Sequence, residues 1–282
     1  MNWLRSWISS STGHAPVAEE SPPEEPRTGW SQYGHVVRYI FVGAVAACVL
    51  AGGGWMLLSQ REHDWAVVVI AGDWHDHEGG PSQAFDNSRR DVSADLRSIG
   101  FNPDYMMQFS VRPDLDKVTH PSPSTLPDIA QDLNVLTGET HAGCLVYFSS
   151  HGAPRGIVLG TTILTPQALA NVVDSTCGDR PTVIILSACF SGVFVPVLEG
   201  DDRMIMTAAR ADRTSFGCGQ DNRYPYFDDC VVHTIPKVHS FPELADRVKD
   251  CVANMEAETG MSPPSDPQVS IGKDVAERLP TW

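Results

Sequence analysis

The chain has 282 residues, of which 35 are acidic and 20 are basic, so its formal net charge is −15. This acidic balance argues against a polyanionic partner such as nucleic acid. The sequence also lacks a Gly-rich phosphate loop and cysteine pairs with zinc-site spacing. Its apolar content of 42% is ordinary for a folded protein, and its length suits one large domain or two small ones.

The N-terminal region divides into a polar tail and an apolar segment. Residues 15–28 are rich in Pro, Glu and Ser, which predicts a disordered tail over 1–38. Residues 39–58 carry no charge, and at ~1.5 Å per residue a helix of this length spans the ~30 Å hydrocarbon core of a bilayer. We therefore expect a single transmembrane helix at 39–58.

The charges that flank this segment predict its orientation. Arg27 and Arg38 precede it and Arg61 follows it, which favours a cytoplasmic N-terminus and a periplasmic or other extracytoplasmic location for the rest of the chain. A cleaved signal peptide is one alternative, and lipidation at Cys48 is another. The apolar run continues beyond Cys48, whereas lipoproteins usually become polar at that point.

From Trp65 onward, short apolar runs alternate with segments that have one apolar helical face. The runs predict strands at 65–70, 105–111, 144–148, 183–186, 204–209 and 267–271, with a small hairpin within 157–164. This alternation predicts an α/β domain over 65–282, in which helices flank a mostly parallel sheet.

Two of these predicted strands lead into residues whose side chains can take part in catalysis. One run leads into Ser150-His151-Gly152, and another leads into Ala188 and Cys189. The carboxyl ends of neighbouring parallel strands meet at one edge of the sheet, where ligands bind. Taken alone, a cysteine or histidine at a strand end is usually a packing residue. Their matching positions favour a thiol–imidazole pair for covalent acyl transfer.

The hypothesis assigns a role to each group of this pair. His151 shuttles the proton while the Cys189 thiolate attacks a peptide carbonyl, and the backbone N–H groups of Gly152 and Cys189 form the oxyanion hole. Three serines are rival nucleophiles, but none lies in a G-x-S-x-G elbow. They are Ser149, Ser150 and Ser191.

These motifs resemble those of the caspase-like clan of cysteine peptidases, and most of all its legumain-type branch, which includes the catalytic subunit of the GPI transamidase. The resemblance covers 65–272 and is carried by four segments, 69–72, 150–152, 187–192 and 207–216. It implies a caspase-like three-layer sandwich and a His/Cys dyad without an obligatory third carboxylate. It also implies endopeptidase or transpeptidase activity, with no cofactor and no metal.

The same resemblance implies a substrate-binding pocket that contains Ser215 and Asp229. The family's pocket arginine has no counterpart in 81–86, so Arg89 or Arg90 is the candidate substitute. An arginine together with an aspartate suits an asparagine side chain, because one binds its carbonyl and the other binds its amide. Because the family's arginine is missing from 81–86, we do not expect strict cleavage after Asn.

Two further groups of residues leave alternatives open. The stretch 75–78, His-Asp-His-Glu, reads either as a metal site or as a solvated rim loop, and we favour the loop. An oxidising compartment would allow disulfides, with Cys144–Cys177 and Cys218–Cys230 as the plausible pairs. The alternative is that these cysteines, together with Cys251, all remain reduced.

The sequence therefore predicts a membrane-anchored cysteine endopeptidase that acts on a peptide or protein substrate. A transpeptidase, or a GPI-transamidase-like subunit, is the close alternative, because an amine can resolve an acyl-enzyme in place of water. A catalytically idle, membrane-tethered binding scaffold is the alternative from another class. The oligomeric state stays open.

Overall fold

The computed structural model describes residues 64–282. The predicted tail at 1–38 and the predicted membrane helix at 39–58 lie outside this range. Among the described residues, no helix combines the length and the apolar character needed to cross a membrane.

A seven-stranded sheet forms the centre of the fold, with the strand order β10-β9-β8-β4-β1-β2-β3. All neighbouring strands are parallel except β9 and β10, which are antiparallel. The mostly parallel sheet predicted from the sequence is therefore confirmed. The strands are β1 (Trp65–Ala71), β2 (Met106–Ser110), β3 (Ser122–Pro123), β4 (Gly143–Ser149), β8 (Thr182–Ser187), β9 (Arg203–Thr207) and β10 (Gln268–Ile271).

A second, three-stranded sheet follows β4 directly and includes the predicted hairpin. Its strands are antiparallel and are β5 (Gly152–Ala153), β6 (Gly156–Leu159) and β7 (Thr162–Leu164). The N–H of Gly160 donates to the carbonyl of Gly72, just beyond β1, at 2.8 Å. The hairpin is thus held at the same sheet edge as the candidate site.

Within residues 64–282, six α-helices connect the strands, and local sequence explains where several of them begin. Thr125, Thr165 and Ser240 each precede a helix, and each side-chain oxygen accepts an N–H from the first turn. The helices are α1 (Ala84–Ser98), α2 (Leu126–Glu139), α3 (Pro166–Thr176), α4 (Val195–Leu198), α5 (Tyr226–Thr234) and α6 (Phe241–Thr259).

The sheet separates two apolar cores. Alternate residues of β1 enter opposite cores, with Val67 and Val69 on one face and Val68 and Ile70 on the other. The first face is covered by α1, α5 and α6, and the second by α2, α3 and α4. Because the central strands are covered on both faces, their sequences are continuously apolar.

Two disulfides cross-link the described domain. The predicted Cys144–Cys177 bond is present, with a Cα–Cα distance of 6.0 Å. The predicted Cys218–Cys230 bond is wrong, because Cys230 pairs with Cys251 instead. The physical reason is that α5 packs along α6, which brings these two Cα atoms within 5.8 Å. Cys218 is a free thiol.

Candidate active site

The carboxyl ends of β4 and β8 bring His151 and Cys189 together. Ser149 is paired with Ser187 in the parallel ladder, and each lies two residues before its candidate catalytic residue. A Cβ atom on Gly152 would lie 1.9 Å from the carbonyl oxygen of Cys189, so the two backbones are in direct contact. The dyad residues therefore share one edge of the sheet, as the sequence predicted.

His151 has a defined tautomer. Its Nε2 lies 3.0 Å from the carbonyl oxygen of His75. A carbonyl can only accept a hydrogen bond, so Nε2 carries the proton and Nδ1 is left as the basic nitrogen. The ring of Phe85 packs edge-on against the imidazole, with the ring centroids 5.0 Å apart. These two contacts orient a base with one available lone pair.

The loop that supplies the His75 carbonyl is held by its own polar contacts. Oδ1 of Asp73 accepts the backbone N–H of Trp74 at 2.6 Å and that of His75 at 3.1 Å, and it lies 2.7 Å from Nδ1 of the His75 ring. The guanidinium of Arg112 lies over the indole of Trp74, 4.4 Å from the ring centroid. The carbonyl that faces His151 is therefore part of an ordered turn.

Cys189 is half-buried at a sharp turn between β8 and the helical turn that follows. The next residue, Phe190, has φ of 59°, a left-handed conformation that is costly for a non-glycine residue. Its N–H donates to the carbonyl of Arg213 at 2.8 Å, which helps to hold the turn. The strand-to-helix turn thus presents the thiol at the sheet edge.

The sulfur of Cys189 faces the segment after β9. It accepts the N–H of Ser215 at 3.3 Å and lies 3.6 Å from the Ser215 hydroxyl. Within residues 64–282, no hydrogen bond joins this sulfur to the His151 ring. The predicted pocket residue Ser215 is thus beside the nucleophile.

The two predicted oxyanion donors are available in the described structure. The N–H of Val158 donates to the carbonyl of His151 at 2.9 Å, which makes Gly152 and Ile157 a non-hydrogen-bonded pair of the small sheet. Cys189 lies beyond the end of β8, and its N–H donates to no backbone carbonyl within residues 64–282. Both amides can therefore donate to a bound oxygen.

The three rival serines are buried and already bonded. Ser149 donates to Asp228 at 2.6 Å, and Ser150 donates to the Val158 carbonyl at 2.8 Å. The Ser191 hydroxyl accepts the N–H of Ala209 at 3.2 Å. Because Cys189 is the accessible nucleophile among these four, the structure favours it.

The predicted pocket residue Asp229 has a hydrogen-bonding partner of its own. Asp229 lies on α5, where its carboxylate is 3.3 Å from Nδ1 of the exposed His233. The hydrogen bonds and ion pairs within residues 64–282 do not link Asp229 with Ser215 or Cys189. Asp229 stays a predicted pocket residue without a contact to the nucleophile.

The candidate arginines do not serve the pocket either, because both are engaged elsewhere. Arg89 is fully buried and belongs to an internal ion cluster, and Arg90 lies 3.6 Å from Asp116. We call the internal set the Arg89 cluster. It consists of Arg89, Asp86, Gln108, Asp116 and Thr119.

The loop 75–78 exposes several of its side chains to solvent. His77 and Glu78 are exposed, while Asp76 accepts the N–H groups of Glu78 and Gly80 at 2.9 and 2.7 Å. In the part of the chain that the structure describes, no cluster of three or more potential metal ligands occurs.

A second polar cluster lies beneath the dyad, and sequence reasoning missed it. Asp228 on α5 is fully buried and accepts hydrogen bonds from Tyr147 and Ser149, while Ser187 and Ser88 also approach it. Burial raises the pKa of Asp228 from 3.8 to about 6, although the hydroxyl donors favour the ionised form. We call these five residues the Asp228 cluster.

A signal for this cluster is present in the sequence. Ser149 and Ser187 are polar residues at the ends of two strands whose interiors are mostly apolar, and each lies two positions before a dyad residue. The repeated position points to a shared polar partner. The identity of that partner, Asp228, depends on how α5 packs against the sheet.

A mostly parallel sheet flanked by helices on both faces is the arrangement of a caspase-like fold. The crystal structure of caspase-1 from Spodoptera frugiperda matches with a TM-score of 0.54 and 15% identity, covering 74% of this chain and 87% of that one. At this identity the likeness establishes the fold.

The sequence comparison adds a match to a family model. The model of the Peptidase C13 family, that of legumain and the GPI transamidase, matches residues 122–256, so the predicted resemblance is confirmed. No curated protein matches the chain significantly. The family match and the fold support a cysteine peptidase or transamidase-like function.

Proposed function

We propose that the protein is a cysteine endopeptidase of the legumain type, with His151 and Cys189 as its catalytic dyad. The observation that carries the proposal is the contact between Gly152 and the Cys189 backbone, which puts imidazole and thiol at the ends of adjacent parallel strands. The substrate is an extended peptide that binds along the carboxyl edge of the sheet.

The mechanism follows from the tautomer of His151. Nδ1 takes the proton of the Cys189 thiol, and the Nε2–H bond to the His75 carbonyl steadies the imidazolium that forms. The thiolate turns from Ser215 toward the substrate, attacks the scissile carbonyl carbon and forms a tetrahedral intermediate. The N–H groups of Gly152 and Cys189 bind its oxyanion, each contributing ~3 kcal/mol.

The intermediate collapses when the carbon–nitrogen bond breaks. His151 gives its proton to the departing amine, and the acyl group stays on Cys189 as a thioester. Water then attacks the thioester, with His151 as general base, and releases the carboxylic acid and the free thiol. Ser215 lies beside the acyl side of the site, and Asp229 is retained as a predicted specificity residue.

We further propose that residues 39–58 anchor the protein in a membrane and that the catalytic domain lies on the extracytoplasmic side. The twenty uncharged residues of this segment support the anchor. The two disulfides of the described domain support an oxidising compartment. Alkaline extraction of membranes and protease protection of intact spheroplasts or vesicles test the two statements separately.

Aminolysis is the second candidate, because the matched family includes the GPI transamidase. A thioester on Cys189 reacts with an amine as well as with water, so one site supports both outcomes. Mass analysis of products formed with and without a glycine-ester nucleophile separates hydrolysis from transfer.

The deciding experiment uses the full-length chain in detergent, a library of fluorogenic peptides and a thiol-reactive peptide probe. We expect Cys189→Ala and His151→Ala each to lower kcat/KM by at least ~10³-fold, since the dyad acts as a unit. Cys218→Ala is the matched control, because Cys218 is the other free thiol of the described domain. Probe labelling that persists in Cys189→Ala, or an inactive wild type that merely binds peptides, contradicts the proposal and favours the scaffold.

A further inference from the structure

The Asp228 cluster joins four elements beneath the dyad, and Ser88 is its member on α1. Tyr147 and Ser149 belong to β4, Ser187 belongs to β8, and Asp228 reaches both strands from α5. Residues two apart on a strand point to the same face, so these side chains all face the core that α5 covers. The cluster is therefore attached to the strand ends that carry the dyad.

The composition of this cluster is unusual for a site that only stabilises the fold. Asp228 has no exposed surface, and the partners that act on it are hydroxyl groups, with no cation among them. Burial of a carboxyl without an opposite charge is costly, and apolar side chains would fill the same space more cheaply. Ser149 and Ser187 end two strands whose interiors are mostly apolar.

The positions of these polar residues connect them to the dyad. Ser149 and Ser187 are register partners, and the N–H of Ser150 donates to the Ser187 carbonyl at 3.0 Å. The Asp228 carboxylate accepts from Ser149 at 2.6 Å, and the Ser187 hydroxyl approaches it from the neighbouring strand, so one carboxylate acts on both strand ends. His151 and Cys189 lie two residues farther along the chain, beyond the last paired residues of β4 and β8.

We propose that Asp228 is a positioning residue for catalysis, which ties Ser149 to Ser187 and thereby holds His151 and Cys189 at their working separation. The proposal rests on the proposed function of the dyad. Asp228 does not touch the substrate or the reacting atoms, so its effect passes through the two strand ends.

The titration of Asp228 can be distinguished from that of the titratable groups near it. Tyr147 is the titratable group among its direct partners, and burial raises the pKa of that phenol well above 10. On the facing helix α1, burial raises the pKa of Asp95 to about 6, and His233 of α5 acts on Asp95 rather than on Asp228. Asp95 is thus a matched carboxyl with a similar pKa but without contact to β4 or β8.

The test compares Asp228→Asn, Ser149→Ala and Ser187→Ala with Ser93→Ala in the full-length chain. Ser93 is an equally buried hydroxyl on α1, which donates to the Arg89 carbonyl at 2.7 Å and is remote from the strand ends. We expect the first three variants to lower kcat by about 10- to 100-fold with KM within about threefold, because a misplacement of about 1 Å has effects of this size. Ser93→Ala keeps the wild-type kcat.

The pH dependence supplies a readout that a merely structural role would not move. Burial places the pKa of Asp228 at about 6, so the wild-type kcat should carry a step near pH 6 that Asp228→Asn abolishes and Asp95→Asn retains. The rate of Cys189 alkylation by iodoacetamide should change with pH in the same way. Alkylation requires no peptidase activity, so this arm still tests the spacing of thiol and imidazole if the proposed function fails.

Two results would overturn the proposal. One is a wild-type kcat and alkylation profile in Asp228→Asn, and the other is a loss in Ser93→Ala equal to that in Ser149→Ala. Failure of the proposed function has a different signature, namely peptide hydrolysis that survives in Cys189→Ala. Should Asp228→Asn fold poorly, Tyr147→Phe and the serine variants carry the same comparison.

Discussion

Two carboxylates with little exposed surface, Asp116 and Asp228, occupy opposite electrostatic environments within one domain. In the Arg89 cluster, burial is outweighed by hydrogen bonds from Thr119 and Arg89, which hold the pKa of Asp116 far below its usual 3.8. In the Asp228 cluster, burial outweighs the hydroxyl donors and the pKa rises to about 6. A fully buried guanidinium is present in the first cluster and a cation is missing from the second.

This difference shows how the domain separates stability from adjustment of the active site. The Arg89 cluster links α1 to β2 and to the loop after it, where a permanent ion pair holds elements together. The Asp228 cluster lies under the dyad, where the carboxyl can change charge near neutral pH. Perturbed carboxyls of the second kind concentrate at functional sites.

The largest expected effect is on the Arg89 cluster. Arg89→Met leaves Asp86 and Asp116 without their buried cation, and we expect the free energy of unfolding to fall by ~3–5 kcal/mol. Urea unfolding measures this change. Arg90→Met is the control on the same helix, since its half-exposed side chain should contribute less than ~1 kcal/mol. If Arg89→Met is as stable as the wild type and loses only activity towards asparagine peptides, Arg89 would instead belong to the substrate-binding pocket.

An intermediate effect is expected on the pH dependence of stability. The pKa of Asp228 is higher in the folded chain, at about 6, than in the unfolded chain, so the folded state binds more protons between these values. Its contribution therefore stabilises the protein as pH falls through 6, and this gain is lost as pH rises again. Asp228→Asn should remove that slope.

Urea unfolding at several pH values from about 4 to 8 checks this prediction, with the difference between wild type and variant isolating Asp228 from other groups. Asp116 is expected to have the opposite effect, because its contribution to stability is lost only as pH falls below the usual pKa of 3.8. Equal slopes for wild type and Asp228→Asn would remove the contrast between the two clusters.

The smallest effect is expected at Asp229, the neighbour of Asp228 on α5. Its carboxylate is half-exposed beside His233, so Asp229→Ala should change kcat/KM by less than about twofold for most peptides. Profiling with a peptide library that varies the residue before the scissile bond checks this. A selective loss of one residue class would place Asp229 in the specificity pocket, as the family resemblance implies.

The sequence was most informative where the decisive pattern is local. An apolar run followed by Ser-His-Gly or Ala-Cys already specifies a buried strand and a tight turn, so the parallel sheet and the position of His151 and Cys189 at one of its edges were predictable. The Cys144–Cys177 disulfide was predictable as well, because both residues lie near the entering ends of adjacent strands. Each of these inferences needed only short segments and the handedness of parallel crossovers.

The remaining parts of the site depend on which helix packs against which strand. Successive helix positions point about 100° apart, so one step in α5 separates the buried Asp228 from the half-exposed Asp229. The same dependence explains why Arg89 was considered for the pocket and why Cys218 was paired with Cys230. Composition and spacing determined the sheet and the placement of His151 and Cys189 at its edge, while the membrane segment stays a prediction outside the described residues. Only the tertiary structure decided the partners of the buried charges, because ionisable side chains can be buried only where distant segments supply their neighbours.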